Sequence, residues 1–253
     1  ATFAPKIKTD TAGNGYHVHM QLRKDGKNMM RSDEGGLSQE AKKIIGGLCH
    51  YAGSLTAFGN TVAASYLRLV PNQEAPTRIC WSDLNRSALI RVPLGWDKKA
   101  IGMINKINPQ QPLDKEKEDD KQTVEIRSAD GSALTHLLLA GITMAARWGL
   151  ENPDESLKKT EDLYVVGDIF KNEELLEKLP SLPQSCNHSA KLLQSERTLY
   201  ENEDIFPGSM IDYIINLLKQ EDDQEMHTRL NSRTLEQRLH ETEKIMHKNL
   251  HRH

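Results

Sequence analysis

Features typical of several protein classes are scarce in this chain of 253 residues. Aromatic residues make up 5% of the sequence and the formal net charge is −3, so the basic surface and stacking aromatics of a nucleic-acid-binding protein are missing. The longest apolar run, residues 137–146, is too short to cross a bilayer and predicts a buried helix segment. Nucleic acid and membrane are therefore excluded as expected partners.

Cysteine is also scarce, and its positions favour free thiols. Cys49, Cys80 and Cys186 are odd in number, far apart and outside any CxxC pattern, which is typical of a protein in the reducing cytoplasm. The chain opens on Ala-Thr-Phe-Ala-Pro-Lys, with neither an initiator Met nor a secretory leader. We expect a cytoplasmic protein and a domain excised from a longer chain.

The hydrophobic pattern predicts an α+β fold in one domain, 1–253, with a strand-rich half, 1–150, and a helical region, 151–253. We expect an antiparallel, part-barrel sheet with packed helices and a helical C-terminal tail. In the first half we expect strands over 1–35 with a hairpin turn at 24–27, then a long helix that is capped by Ser38 and reaches Phe58, and then short strands between Ser65 and Pro93. An exposed loop over 94–122 and a strand at 123–127 follow, and a helix starts at Asp130 or Ser132 and runs through Leu150. In the helical region we expect a helix after Pro207 and a capping box of Thr234 and Gln237.

Polar side chains share one face of two predicted strands. Alternation places His17, His19 and Gln21 opposite an apolar face, and it places Thr123, Glu125 and Arg127 opposite Val124 and Ile126. Charged side chains on the inner face of a sheet are costly unless a charged group lies between them. The two strands together predict a lined active site.

Four arginines lie among apolar neighbours: Arg68, Arg86, Arg91 and Arg127. For any single arginine, an ion pair or a solvated strand edge is as good an explanation as a bound ligand. Taken together, with Glu74 and Glu125 as the obvious acidic partners, they indicate an anionic ligand such as phosphate or carboxylate, which guanidinium groups bind in a bidentate way.

The His17-x-His19 pair has two interpretations. Two histidines on a strand are more often satisfied sheet residues than ligands, but a nearby Glu125 makes a mixed nitrogen and oxygen metal site plausible. Two protein ligands suit Mg²⁺ or Mn²⁺ shared with phosphates. Glu74 lies on a loop bracketed by Pro71 and Pro76, where it is either a solvated residue or a general base on a flap.

An ordered series of motifs carries a family resemblance. Ala-Thr-Phe-Ala-Pro-Lys at 1–6 is followed by Gly-Asn-Gly-x-His-x-His at 13–19, and the later motifs are Ser-Tyr-Leu-Arg-Leu-Val-Pro at 65–71, Glu-Ala-Pro at 74–76, Asn-Arg-Ser at 85–87, Arg-Val-Pro at 91–93 and Glu-Ile-Arg at 125–127. The chain resembles the C-terminal part of a glutamine synthetase catalytic domain, closest to the prokaryotic class I type. Several linked motifs in order are far more specific than any one of them.

The resemblance implies a fold, a reaction and a role for each motif. The fold would be the catalytic domain of the glutamine synthetase and guanido kinase type. The reaction would be the ATP-dependent ligation of ammonia to glutamate through glutamyl phosphate, in nitrogen assimilation. The implied roles are Mg²⁺ or Mn²⁺ ligation for His17 and Glu125, ATP binding for His19 and Arg91, glutamate binding for Gly13, Arg68 and Arg127, phosphoryl stabilisation for Arg86, and flap closure with proton removal for Glu74. Tyr164 lies near the position of a regulatory tyrosine in class I enzymes, with slight local similarity.

The chain also departs from the family pattern. Ile7 and Gln21 replace the usual Pro and Ser, and Thr123 stands where many members carry a basic residue. No segment matches the N-terminal β-grasp domain or the early strands whose paired glutamates complete the metal cluster in the family. The family's sites form between subunits of a ring, so we expect a homo-oligomeric ring in the full-length protein and no activity from this chain alone.

Two alternatives stay open from the sequence. One is a related ligase that joins glutamate to an amine other than ammonia. The other is a noncatalytic relative that serves as a scaffold or an anion-binding module. The charged set on the inner strand faces argues against a scaffold, because perturbed charged groups cluster where they are used.

Overall fold

The computed structural model describes residues 1–32, 36–95, 98–113 and 121–251, which contain six short strands and twelve α-helices. The strands are β1 (Val18–Met20), β2 (Arg23–Lys24), β3 (Lys27–Asn28), β4 (Trp81–Asp83), β5 (Ile90–Val92) and β6 (Val124–Ile126). The helices are α1 (Gln39–His50), α2 (Ala52–Gly59), α3 (Ala63–Arg68), α4 (Lys98–Ile107), α5 (Thr135–Glu151), α6 (Pro153–Asp162), α7 (Glu173–Lys178), α8 (Cys186–Ser195), α9 (Arg197–Glu201), α10 (Gly208–Lys219), α11 (Met226–Asn231) and α12 (Leu235–His247).

The main sheet has four strands in the order β1-β6-β5-β4. The pairs β1–β6 and β6–β5 are antiparallel, as the sequence predicts, whereas β4 pairs with β5 in parallel. The sheet is therefore mixed, and the α+β class is confirmed. The hairpin turn at 24–27 is also confirmed, since it joins β2 to β3.

Helices α1 and α5 cross at glycines in close contact. A Cβ on Gly47 would lie 2.2 Å from the Ala145 carbonyl oxygen, and one on Gly149 would lie 2.1 Å from the Lys43 carbonyl oxygen. Glycine is required at both positions because the two backbones touch. This contact fixes the helical layer that supports the sheet.

Buried hydroxyl groups join α2, α3, α8 and α9. Ser54 Oγ lies 2.6 Å from Tyr200 Oη, and Ser189 Oγ lies 2.6 Å from both Thr56 Oγ1 and Tyr66 Oη. Each group satisfies another that is out of contact with water. The three cysteines are likewise buried and free, as predicted, and burial raises the pKa of the Cys80 thiol to about 11.

Helix capping agrees with the sequence at two places. Ser38 accepts a hydrogen bond from the Ala41 amide at the start of α1, and Thr234 with Gln237 forms the predicted capping box of α12. In both cases a side-chain oxygen satisfies an amide that has no partner within the helix. None of the helices in the described part of the chain has the length and hydropathy of a transmembrane segment.

Other boundaries differ from the prediction. The long helix bends at Tyr51 into α1 and α2, and Ser65 starts no strand because it lies inside α3. The predicted 94–122 loop contains α4, and most of its charged block lies outside the described residues. Helix α5 begins at Thr135, because in the preceding turn the Asp130 carboxylate accepts hydrogen bonds from the Ser132 amide and hydroxyl.

A half-buried acid gives a test of the helical layer by pH. Burial raises the pKa of Glu196, against a hydrogen bond from Ser54, so ionisation of this side chain opposes folding. A raised pKa in the folded state means that this penalty appears as the pH rises above the ordinary carboxyl value. We expect Glu196→Gln to raise the free energy of unfolding at pH 8 and to leave it unchanged near pH 4, measured by urea denaturation. An equal gain at both pH values would contradict the assignment.

Candidate functional site

Three strands bring His19, Glu125 and Arg91 into one row. The β1–β6 register pairs His19 with Glu125, and the β5–β6 register pairs Arg91 with the same glutamate. Residues paired directly across a sheet point to the same face. The alternation predicted for β1 and β6 therefore places these side chains together, although they are far apart in the sequence.

Glu125 is the centre of this face. Its side chain is 1% exposed, and its Oε1 atom lies 2.8 Å from His17 Nδ1, 3.9 Å from His19 Nε2 and 3.6 Å from Arg127 Nε. Its Oε2 atom lies 2.6 Å from Arg91 Nη2. One carboxylate thus faces two imidazoles and two guanidiniums, so the cluster carries an excess of positive charge that suits an anion.

Arg127 ties two loops to the sheet through main-chain carbonyl groups. Its Nη1 donates to the carbonyls of Arg86 and, at 3.1 Å, Ala88, and its Nη2 donates to the Glu74 carbonyl at 3.4 Å. Its side chain is 4% exposed and burial lowers its pKa. One buried guanidinium therefore fixes the backbone of the loops that carry Glu74 and Arg86.

Arg68 is anchored in the same way below the site. It donates to the carbonyls of Ser128 at 2.7 Å and Arg127 at 3.3 Å, and Asp130 Oδ2 lies 4.0 Å away. The sequence prediction considered Glu74 and Glu125 as partners of the arginines and missed Asp130. Asp130 follows Arg127 by three residues in a segment that the structure buries throughout, and the sequence pattern carries no sign of this pairing.

Glu74 and Arg86 both lie at the rim with exposed side chains. Glu74 has a φ of 59°, an unfavourable backbone for a residue other than glycine. Asn85 braces the other loop, because its Oδ1 accepts from the Ser87 amide at 2.9 Å and its Nδ2 donates to the Gly167 carbonyl at 2.6 Å. Both rim side chains thus extend from backbones that the fold holds in place.

The glycine-rich turn packs against Arg68. A Cβ on Gly13 would lie 2.2 Å from the Pro5 carbonyl oxygen, so this glycine is required by contact with the chain itself. A Cβ on Gly15 would lie 2.8 Å from Arg68 Nη2 and 3.0 Å from His17 Nε2. Gly15, which the sequence analysis did not select, is the glycine that borders the charged cluster.

Comparison with known proteins identifies the family. The glutamine synthetase catalytic domain matches residues 1–237. The chain belongs to the glutamine synthetase family.

Relatives and solved structures agree with this assignment. The chain is 35% identical to a glutamine synthetase of Methylococcus capsulatus, over 87% of this chain and 42% of the relative. It is also 35% identical to a glutamine synthetase of Pyrococcus abyssi, over 79% of this chain and 40% of the relative. The fold is similar to a Plasmodium falciparum glutamine synthetase (TM-score 0.64, 23% identity, 89% of this chain, 47% of that one) and to a GmaS/ADP complex (TM-score 0.67, 24% identity, 94% and 48%). The chain spans about two fifths of the length of these curated relatives.

The structure brings most of the predicted site residues of this family member into one region. His17, His19, Arg91 and Arg127 contact Glu125, while Arg68 lies beside Gly13 and Gly15. The hydroxyl of Thr123 lies 3.2 Å from His19 Nδ1. Tyr164 lies apart from this cluster, where it stacks on Trp81 and donates to Asp83.

The donor set fits two ligands of a metal site. Burial and the charges of Arg127 and Arg68 lower the pKa of His17, against the opposing effect of Glu125, which favours the neutral imidazole that a metal binds. Among the described residues, no group of three or more His, Cys, Asp or Glu side chains could hold a metal ion. His17 and Glu125 can therefore contribute one nitrogen and one oxygen, and the other ligands must come from substrate or from elsewhere.

Removing the central carboxylate should destabilise the chain. Glu125→Gln leaves Arg91 and Arg127 facing each other without a counter-charge, and breaking a buried ion pair on one side costs about 3 kcal/mol. The measurement is urea denaturation of the 253-residue chain. Glu151→Gln, which breaks an exposed pair with Arg147, is the matched control and should keep a nearly unchanged midpoint. Equal midpoints for both variants would show that Glu125 is not the hub of this face.

Proposed function

We propose that this chain forms the C-terminal active-site half of an ATP-dependent ligase that joins ammonia to glutamate through glutamyl phosphate. The observation that carries the proposal is the buried Glu125 carboxylate with His17, His19, Arg91 and Arg127 around it on one sheet face. A surplus of cationic groups around one acid favours a site for phosphate and carboxylate groups together.

In the first half-reaction, a side-chain carboxylate oxygen of glutamate attacks the γ-phosphorus of ATP, and ADP leaves. Such a transfer is accelerated mainly by positioning and by neutralising phosphoryl oxygens. We assign the nucleotide phosphates to His19 and Arg91 and the transferring phosphoryl group to Arg86. Mg²⁺ or Mn²⁺, held in part by His17 and Glu125, would neutralise the phosphate oxygens when bound.

The glutamate substrate is assigned to the Arg68 side of the cluster. Gly13, Arg68 and Arg127 lie together there, and the two guanidiniums supply fixed positive charge within a buried wall. Their anchoring to carbonyl groups means that little reorganisation is needed when a carboxylate arrives.

In the second half-reaction, ammonia attacks the acyl carbon and phosphate leaves. We assign Glu74 to removal of a proton from ammonium and to closure over the acyl phosphate, because its side chain stands at the rim on a backbone that Arg127 holds. Exclusion of water at this point protects the intermediate from hydrolysis.

Substitution of Arg86 tests the phosphoryl step. In the longest gene product that contains this chain, we expect Arg86→Ala to lower kcat on the order of 10³-fold, the scale seen when a transition-state arginine is lost. Trapping of the acyl phosphate with hydroxylamine should fall in parallel. Arg147→Ala, at an exposed arginine on α5, is the control and should keep its activity. Full activity in the Arg86 variant would refute the assignment.

The chain by itself should not turn over. Two of the expected metal ligands are present, and the chain spans about two fifths of its relatives, so we expect no glutamine from the 253-residue chain with ATP, Mg²⁺, glutamate and ammonia. The longest gene product that contains this chain should be active in the same coupled assay of ADP release. Turnover by the short chain would show that its own residues complete the site.

The nucleophile is a separate question, because a related ligase could use an organic amine in place of ammonia. We expect ammonia to be preferred, in line with the curated glutamine synthetases that are 35% identical. The measurement compares kcat/KM for ammonia with that for methylamine and ethylamine in the longest gene product. A higher value for an alkylamine would replace ammonia as the substrate and would leave the acyl phosphate chemistry intact.

A further inference from the structure

A cavity of about 330 Å³ lies behind the loop that carries Glu74. Its wall includes Leu69, Val70 and Pro71, which connect Arg68 at the end of α3 to the Glu74 turn. The opposite wall includes Leu182, Gln184 and His227. None of these lining residues belongs to the Glu125 cluster, so the cavity is distinct from the candidate active site.

The lining combines one permanent positive charge with apolar walls. Arg78 lines the cavity, and no Asp or Glu occurs among the described residues that line it. Burial lowers the pKa of His227, although Asp223 and hydrogen bonds to the backbone of Gln184 and Tyr66 oppose the shift. Arg78 is thus the fixed charge, and Thr77, Gln184 and Asn231 add uncharged polar groups.

Arg78 is held in a position to bind a ligand. Its Nε donates to the Leu176 carbonyl at 2.9 Å, and its Nη1 donates to Ser181 Oγ at 2.6 Å. Its Nη2 makes no hydrogen bond to the described residues. A guanidinium fixed at two nitrogens loses little freedom when an anion arrives.

We propose that this cavity binds a small carboxylate with an apolar body. The carboxylate accepts from Arg78, and the apolar part packs against Leu69, Val70 and Leu182. Such a mixture of apolar walls and a few placed polar groups is typical of small-molecule sites. The binding does not depend on the ligase reaction proposed above.

The position of the cavity links it to the Glu74 loop. Asn72 and Glu74 have φ values of 62° and 59°, so the turn between the cavity wall and the rim holds two left-handed residues. Gln73 between them donates to the Thr9 carbonyl at 3.2 Å. The cavity wall at Leu69 to Pro71 is therefore continuous in the chain with the turn that carries Glu74.

Nuclear magnetic resonance titration of the ¹⁵N-labelled 253-residue chain tests the proposal, with isovalerate as the probe. We expect saturable shifts of the amides of Leu69, Val70, Gln73 and Gln184. Isoamylamine, of the same shape and opposite charge, should cause no saturable shift, and phosphate should bind at least tenfold more weakly than isovalerate. Equal binding of isoamylamine or of phosphate would overturn the proposal, as would shifts confined to other regions.

Three variants probe the lining, and two of them leave the contacts of Arg78 in place. Arg78→Gln should abolish saturation, but it also removes bonds to Leu176 and Ser181. Asn231→Asp places a negative charge in the lining at an exposed position, and we expect it to weaken isovalerate binding at least tenfold. Ser232→Asp adds the same charge one residue further along, outside the lining, and should bind as the unchanged chain does. Undiminished binding by the Asn231 variant would overturn the proposal even where the Arg78 variant does not fold.

Discussion

The attraction between one buried carboxylate and the basic groups around it organises this structure. Glu125 lies on the inner strand β6. Its two oxygens contact His19 of β1 and Arg91 of β5, together with His17 and Arg127, which directly flank β1 and β6. A carboxylate that is almost fully buried is costly on its own, so its presence requires these partners. The partners in turn outnumber it, which leaves the face with a surplus of positive charge.

Arg127 extends this charge arrangement into the loops. A lysine could supply the charge, but it could not reach the carbonyls of Arg86, Ala88 and Glu74 from a single planar group. The rim residues are consequently held by a side chain that begins on the sheet. The structural role of Arg127 and its proposed binding role are therefore not separable, because the guanidinium that would bind a carboxylate also holds the loops in place.

Family membership, the fold and the proposed reaction depend on different observations. The match over residues 1–237 shows the family, while the fold similarity at 23–24% identity shows the fold. The proposed reaction depends on the charged cluster, in which the two residues proposed to bind a metal form a partial ligand set. The cavity behind the Glu74 loop belongs to neither argument, because it depends on Arg78 and on an apolar wall.

Local signals were sufficient for part of this molecule. The alternation of His17 and His19, the turn at 24–27, the Ser38 cap and the Thr234 capping box each depend on a few adjacent residues, and the sequence alone determined them. The ordered motifs also determined the family. Only the tertiary structure decided the parallel pairing of β4, the Asp130 partner of Arg68, the contact of Gly15 with His17 and the carbonyl bonds of Arg127. These depend on how residues distant in the chain meet in space, and a pattern of neighbouring residues carries no information about such distances.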